Sequence, residues 1–154
     1  MRQESANGGG DDAVQVFREG AQLGDVKCMV NFASLQMRRA SHTSAKVFSA
    51  GASRVKAKKS VVEHRNVSEA LEWLQTAAEK GCGAALLNIG LWHLGLNKVA
   101  TYLDYLQRAA RAGDVVALMR LGKEYASGAR LVRDETEATL YVYIYLHIDV
   151  YIYL

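Results

Sequence analysis

Four histidines, His42, His64, His93 and His147, and two cysteines, Cys28 and Cys82, are the side chains of this 154-residue chain best suited to hold a metal ion. Their spacing does not suit them to it. No H-x-x-x-H, H-x-x-C or C-x-x-C pair occurs, whereas a metal centre draws its ligands from such local pairs. His93 reads as a packed or hydrogen-bonded ring. The glycine clusters at Gly8 to Gly10 and Gly81 to Gly83 lack the lysine and hydroxyl residue of a phosphate-binding loop. No G-x-S-x-G marks a nucleophile, and no carboxylate pair stands apart from ordinary helix-face acids. The expectation is a chain with no catalytic residue, no metal and no cofactor.

One stretch carries chemistry of another kind. Residues 38–62 read RRASHTSAKVFSAGASRVKAKKSVV, with Arg38, Arg39, Lys46, Arg54, Lys56, Lys58 and Lys59 and no acid. Ser41 lies two residues beyond the arginine pair, where a basophilic kinase would find it, and a phosphate there would bring nearly two negative charges beside those arginines. The RVKAKK run has the composition of a nuclear-localisation or nucleic-acid patch. Phe48 alone could stack on a base, which weakens the nucleic-acid reading. Serine and alanine dominate the rest, so the segment is expected to be an exposed, largely disordered loop.

The elements that would position these residues must be helical. Proline is absent and half of the residues are hydrophobic, so nothing interrupts helices. The length suits one domain or a short repeat array. The opening MRQESANGGGDD has no apolar stretch, which speaks against a secretory signal. Two thiols far apart in sequence fit a reducing, cytoplasmic setting, with a nuclear one open through the basic stretch. No segment offers the ~20 uncharged apolar residues of a membrane span.

The chain also repeats itself. ALEWLQTAAEKG from Ala70 and YLDYLQRAARAG from Tyr102 align residue by residue, bringing Trp73 onto Tyr105 and Gly81 onto Gly113. The constant offset of 32 carries on through Ala85 and Ala117, Gly90 and Gly122, and His93 and Tyr125. A weaker copy, AVQVFREGAQLG from Ala13, puts Gly20 and Ala21 at the alanine pair and Cys28 at Ala117. Apolar positions at helical spacing, a closing glycine and a second small residue describe a helix–turn–helix. Asn66 and Asp134, each followed by glutamate three residues later (Glu69, Glu137), have the form of helix caps.

These residues resemble the Sel-one-like repeat. One copy matches it at Asn66, Ala70, Trp73, Ala77, Ala78, Gly81, Ala85, Ile89, Gly90 and His93. The next matches at Tyr105, Ala109, Ala110, Gly113, Ala117, Leu121, Gly122, Tyr125 and Gly128, and Asp134 and Ala138 open a further one. Lys98 departs from the pattern where the capping acid belongs. The resemblance implies an all-α fold, a short right-handed α/α superhelix, acting as a protein-interaction scaffold.

The chain then divides into a flexible N-terminus (1–11), a degenerate first repeat (12–37), the basic insertion (38–65), a second repeat (66–97), a third (98–133), the start of a truncated fourth (134–142) and a tail (143–154). The tail alternates tyrosine with valine, isoleucine or leucine. It reads as a β-like or disordered low-complexity extension, because Tyr145 and Leu146 stand where the alanine pair belongs. His147 and Asp149 speak against a membrane anchor.

Two functions remain in view. The first is an adaptor that binds a protein segment on the concave face of successive first helices, through Glu72, Gln75, Glu79, Gln107, Arg108 and Arg111; that face is implied by the resemblance. The alternative is binding of nucleic acid or an acidic partner by the basic insertion, under control of Ser41.

Overall fold

A computed structural model of the chain describes the backbone of residues 9–47 and 55–152, and side chains over 12–40 and 66–146. Among the described residues there are seven α-helices and no strand: α1 (Gly9–Gln22), α2 (Val26–Val47), α3 (Val55–Glu79), α4 (Gly83–Gly95), α5 (Val99–Arg111), α6 (Val115–Ser127) and α7 (Glu135–Ile152). The chain divides into two compact units, one ending at Ala77 and the other beginning at Ala78.

In the first unit α1 packs on α2, with Gly20 facing the Cys28 side chain, and Ala21, Met29, Phe32 and Ala33 are buried. The turn between them rests on Gly24, whose φ of +89° is the left-handed conformation that glycine adopts without strain. Gly24 N–H donates to Ala21 O and Asp25 N–H to Gly20 O. The Asp25 carboxylate then caps α2, accepting from Cys28 N–H at 2.7 Å. That bond holds the Asp25 carboxyl below its ordinary pKa. Ala70, Leu74 and Ala77 form the buried stripe of α3.

The second unit is built on the same joint. Gly113, at φ +82°, donates to Ala110 O, Asp114 N–H donates to Ala109 O, and the Asp114 carboxylate accepts from Ala117 N–H at 2.8 Å. Gly81 also sits at φ +82°. One buried cluster ties α4, α5 and α6 together through Leu86, Leu87, Tyr102, Leu106, Ala109, Leu118 and Leu121. Two seams within this unit repeat each other. Gly90 on α4 faces the Tyr105 Cβ and Tyr102 carbonyl of α5, and Gly122 on α6 faces the Tyr141 Cβ and Ala138 carbonyl of α7. His93 stacks on Tyr105 (5.7 Å between centroids, 14° between planes), and Tyr125 stacks on Tyr141 (5.7 Å, 8°). The same two contacts, a small residue under the helix and an aromatic pair beyond it, therefore set both crossings.

Three expectations are corrected. The described parts of residues 38–65 are helical: α2 runs on through Arg38, Arg39 and Ser41 to Val47, and α3 starts at Val55. Alanine, lysine and arginine are good helix formers, and extending a packed helix avoids the cost of nucleating a new one. For the same reason Asn66 is no cap; it lies inside α3. The tail is no strand. α7 begins at Asp134, whose carboxylate accepts from Thr136 and Glu137 N–H at 2.9 and 3.0 Å, and continues to Ile152. Ala138, Tyr141 and Val142, at helical spacing, pack on Gly122, and this packing outweighs the small strand preference of tyrosine and isoleucine.

Candidate functional site

The first-helix residues of the first unit line an open depression of about 500 Å³, formed by Arg18 and Gln22 of α1 and Ser68, Glu69 and Glu72 of α3. Helical spacing builds it: Arg18 and Gln22 are one turn apart, as are Glu69 and Glu72, so each helix offers two side chains to one place. Arg18 Nη2 donates to both Glu69 oxygens, at 3.1 and 3.0 Å. Its guanidinium lies 5.3 Å above the centroid of the buried Phe32 ring. The aromatic ring from below and the carboxylate from the side hold the arginine in a single position. Arg18 Nε is buried with no hydrogen-bond partner among the described residues.

Glu69 is thus neutralised within the site. Glu72 is different: it is exposed, and no ion pair reaches its carboxylate among the described residues. With the Gln22 amide and Ser68 hydroxyl around it, the depression offers acceptors that suit a cationic donor.

The sequence-derived partner residues scatter. Glu72 lines the depression, whereas Gln75 and Glu79 lie further along α3, both exposed. In the second unit Arg108 is held by its own helix. Its Nη1 is 3.7 Å from Asp104 Oδ2, and its guanidinium is 4.9 Å from the Tyr105 ring centroid. Gln107 is half-buried and Arg111 exposed. Arg18 and Gln22 were missed, although repeat register reaches them. They precede Gln107 and Arg111 by 89 residues, the offset that relates Gly24 to Gly113.

The repeat-motif residues lie as follows. Ala70, Ala77, Ala85, Ala109, Ala117 and Leu121 are fully buried, Ala110, Gly90, Gly122 and Ala138 are buried, and Trp73, Ala78, Tyr105 and Tyr125 are half-buried. Gly81, Gly113 and Gly128 are exposed turn residues with positive φ, and exposed Asp134 caps α7. Ser41 and the basic run from Arg54 to Lys59 belong to helical backbone where described, and their side chains lie outside the described residues. Among the described residues no group of three His, Cys, Asp or Glu side chains is placed to hold a metal ion, and no helix is long and apolar enough to cross a membrane.

Glycine-closed helical hairpins, crossing over small residues and locked by aromatic stacks, define an all-α protein of repeated helix pairs. No family model matches the chain, and neither does any curated protein. Among solved structures it is similar to a Sel1 repeat protein from Oxalobacter formigenes, with a TM-score of 0.60 and 19% identity over 90% of this chain. The chain has the fold of Sel1 repeats, and it spans 49% of the length of that solved protein.

Proposed function

We propose that the chain is a non-catalytic scaffold that binds a protein segment across its first helices α1 and α3, and that the depression at Arg18, Gln22, Ser68, Glu69 and Glu72 takes a lysine or arginine side chain of that segment. The observation behind this reading is the contrast between the two glutamates. Arg18 Nη2 donates to both Glu69 oxygens, and among the described residues no cation reaches the Glu72 carboxylate one turn away. A guanidinium or ammonium entering there meets Glu72, the Gln22 amide oxygen and the Ser68 hydroxyl. The fold supports the scaffold part of the reading, since stacked helix pairs present continuous side-chain surfaces to extended partners. Free Cys28 and Cys82 accord with a reducing, cytoplasmic setting.

Selection from a random peptide library on the full chain tests the proposal. Enriched peptides should carry a lysine or arginine at a fixed position, and Glu72→Lys should weaken them by about tenfold or more. Enriched peptides without a basic residue, or bound equally well by Glu72→Lys and Gln22→Ala, would show that the segment lies elsewhere.

A further inference from the structure

The depression in the first unit already holds a cation of its own. Arg18 and Glu72 line the same space of about 500 Å³, and a tethered side chain competes there at an effective concentration in the millimolar range. Arg18 nevertheless lies elsewhere. Its Nη2 donates to the two Glu69 oxygens at 3.1 and 3.0 Å, and among the described residues no ion pair joins it to Glu72.

Glu69 and Glu72 are three residues apart on α3, so their side chains are neighbours, with about 5–6 Å between Cβ atoms. A side chain as long as arginine covers that difference by rotating, so reach alone does not choose between the two carboxylates. Two contacts make the choice. Phe32, fully buried on α2, is fixed by the core and carries the guanidinium 5.3 Å above its ring centroid. Glu69 then meets the charge where the two side chains are only 38% and 32% exposed. Glu72 is exposed, and water screens its attraction more.

We propose that Glu69 is a positioning residue: it holds Arg18 off Glu72 and so keeps the depression open to an incoming lysine or arginine side chain. The identity of the incoming side chain rests on the function proposed above, whereas the placing of Arg18 does not. Without a carboxylate at 69, Arg18 loses its ion pair, and its buried Nε–H still has no acceptor among the described residues. Glu72 is then the carboxylate left in the depression. Arg18 pairs with it inside the chain, and an incoming cation has to displace Arg18 first.

Nuclear magnetic resonance of the full chain, isotope-labelled at its arginines, tests this with no partner present. Glu69→Gln should shift the Arg18 Nε–H signal, and Glu72→Gln alone should leave it in place. Glu72→Gln added to Glu69→Gln should shift it again. Glu69→Asp keeps the charge and should leave the signal insensitive to Glu72→Gln. A signal that answers Glu72→Gln in the unchanged chain, or ignores it after Glu69→Gln, would overturn the proposal. Calorimetric titration with a tetra-arginine peptide gives a second readout. Glu69→Gln should weaken binding by about fivefold or more, and adding Arg18→Gln should restore it. That gain should exceed the gain from Arg18→Gln in the unchanged chain. Equal gains in the two backgrounds would show that net charge alone matters, and would also overturn the proposal. If the peptide fails to bind the unchanged chain while the Arg18 signal moves as expected, Glu69 does place Arg18, and it is the reading of the depression as a cation site that fails.

Discussion

Gly20 and Cys28 stand where the third repeat has Ala109 and Ala117, and both alanines are fully buried. A methyl group on Gly20 would run into Cys28 Sγ and lie 2.9 Å from Cys28 Cβ. The two hairpins therefore fill the same crossing with the volume divided differently. One uses alanine on both helices, and the other leaves the first bare and gives the second a thiol. Burial pushes the Cys28 thiol above its ordinary pKa, with Asp25 adding to the effect, so it stays protonated and packs as a small apolar group. Gly20→Ala alone should destabilise the chain by about 1–3 kcal/mol through overpacking. Combined with Cys28→Ala it should recover that loss and add up to about 1 kcal/mol from helix propensity. Urea unfolding of the single and double variants measures the coupling. If the two effects simply add, the crossing is looser than described and the volume exchange is not real.

At the scale of elements, the sequence spoke clearly where one residue type alone satisfies the geometry. Glycine at the left-handed turn and small residues at the crossing made the paired helices legible, because other residues would strain or collide there. The insertion and the tail were misread because polar composition and strand preference are weak guides where helix is decided by continuity with α2 and α3 in the one and by packing on α6 in the other. The depression was illegible for a different reason: Arg18 and Glu69 are 51 residues apart, and neither one's spacing announces the other. Helix starts show the same limit. α2, α6 and α7 each begin at an aspartate whose carboxylate accepts a backbone N–H, but Cys82 and Lys98 begin α4 and α5 with no side-chain cap. Cys82 has φ −74° and ψ 108°, close to the −70° and 114° of Asp114. Cys82→Asp should therefore cap α4 without moving the backbone, adding about 1 kcal/mol and raising Tm by about 3 °C. Lys98, at φ −91° and ψ 71°, lacks that geometry, so Lys98→Asp should gain less. The cap lowers the folded pKa of the new carboxyl below its unfolded value. The gain is then complete above the unfolded value and lost as pH falls through the folded one. Thermal melts at neutral and acid pH check both the size and the sign.

For the whole molecule, stability should reside in the contacts between neighbouring helices more than in any helix alone. α4 has 13 residues, near the length at which an isolated helix is marginal in water. Its Leu86 and Leu87 are buried in one cluster with Tyr102 and Leu106 of α5 and with Leu118 and Leu121 of α6. Gly90, inside the helix, costs about 1 kcal/mol in propensity, which only the close approach of α5 offsets. A chain ending at Lys98 keeps every residue of α4 and removes everything that covers this face. In such an array each unit depends on its neighbour, so α4 should melt although its own sequence is intact. The helical signal at 222 nm should fall by more than the share of α5, α6 and α7, and amide protection over Gly83–Gly95 should vanish in hydrogen exchange. If those amides stay protected in the shortened chain, α4 is held from its other side. The cooperative unit would then have to be redrawn around α3 and α4.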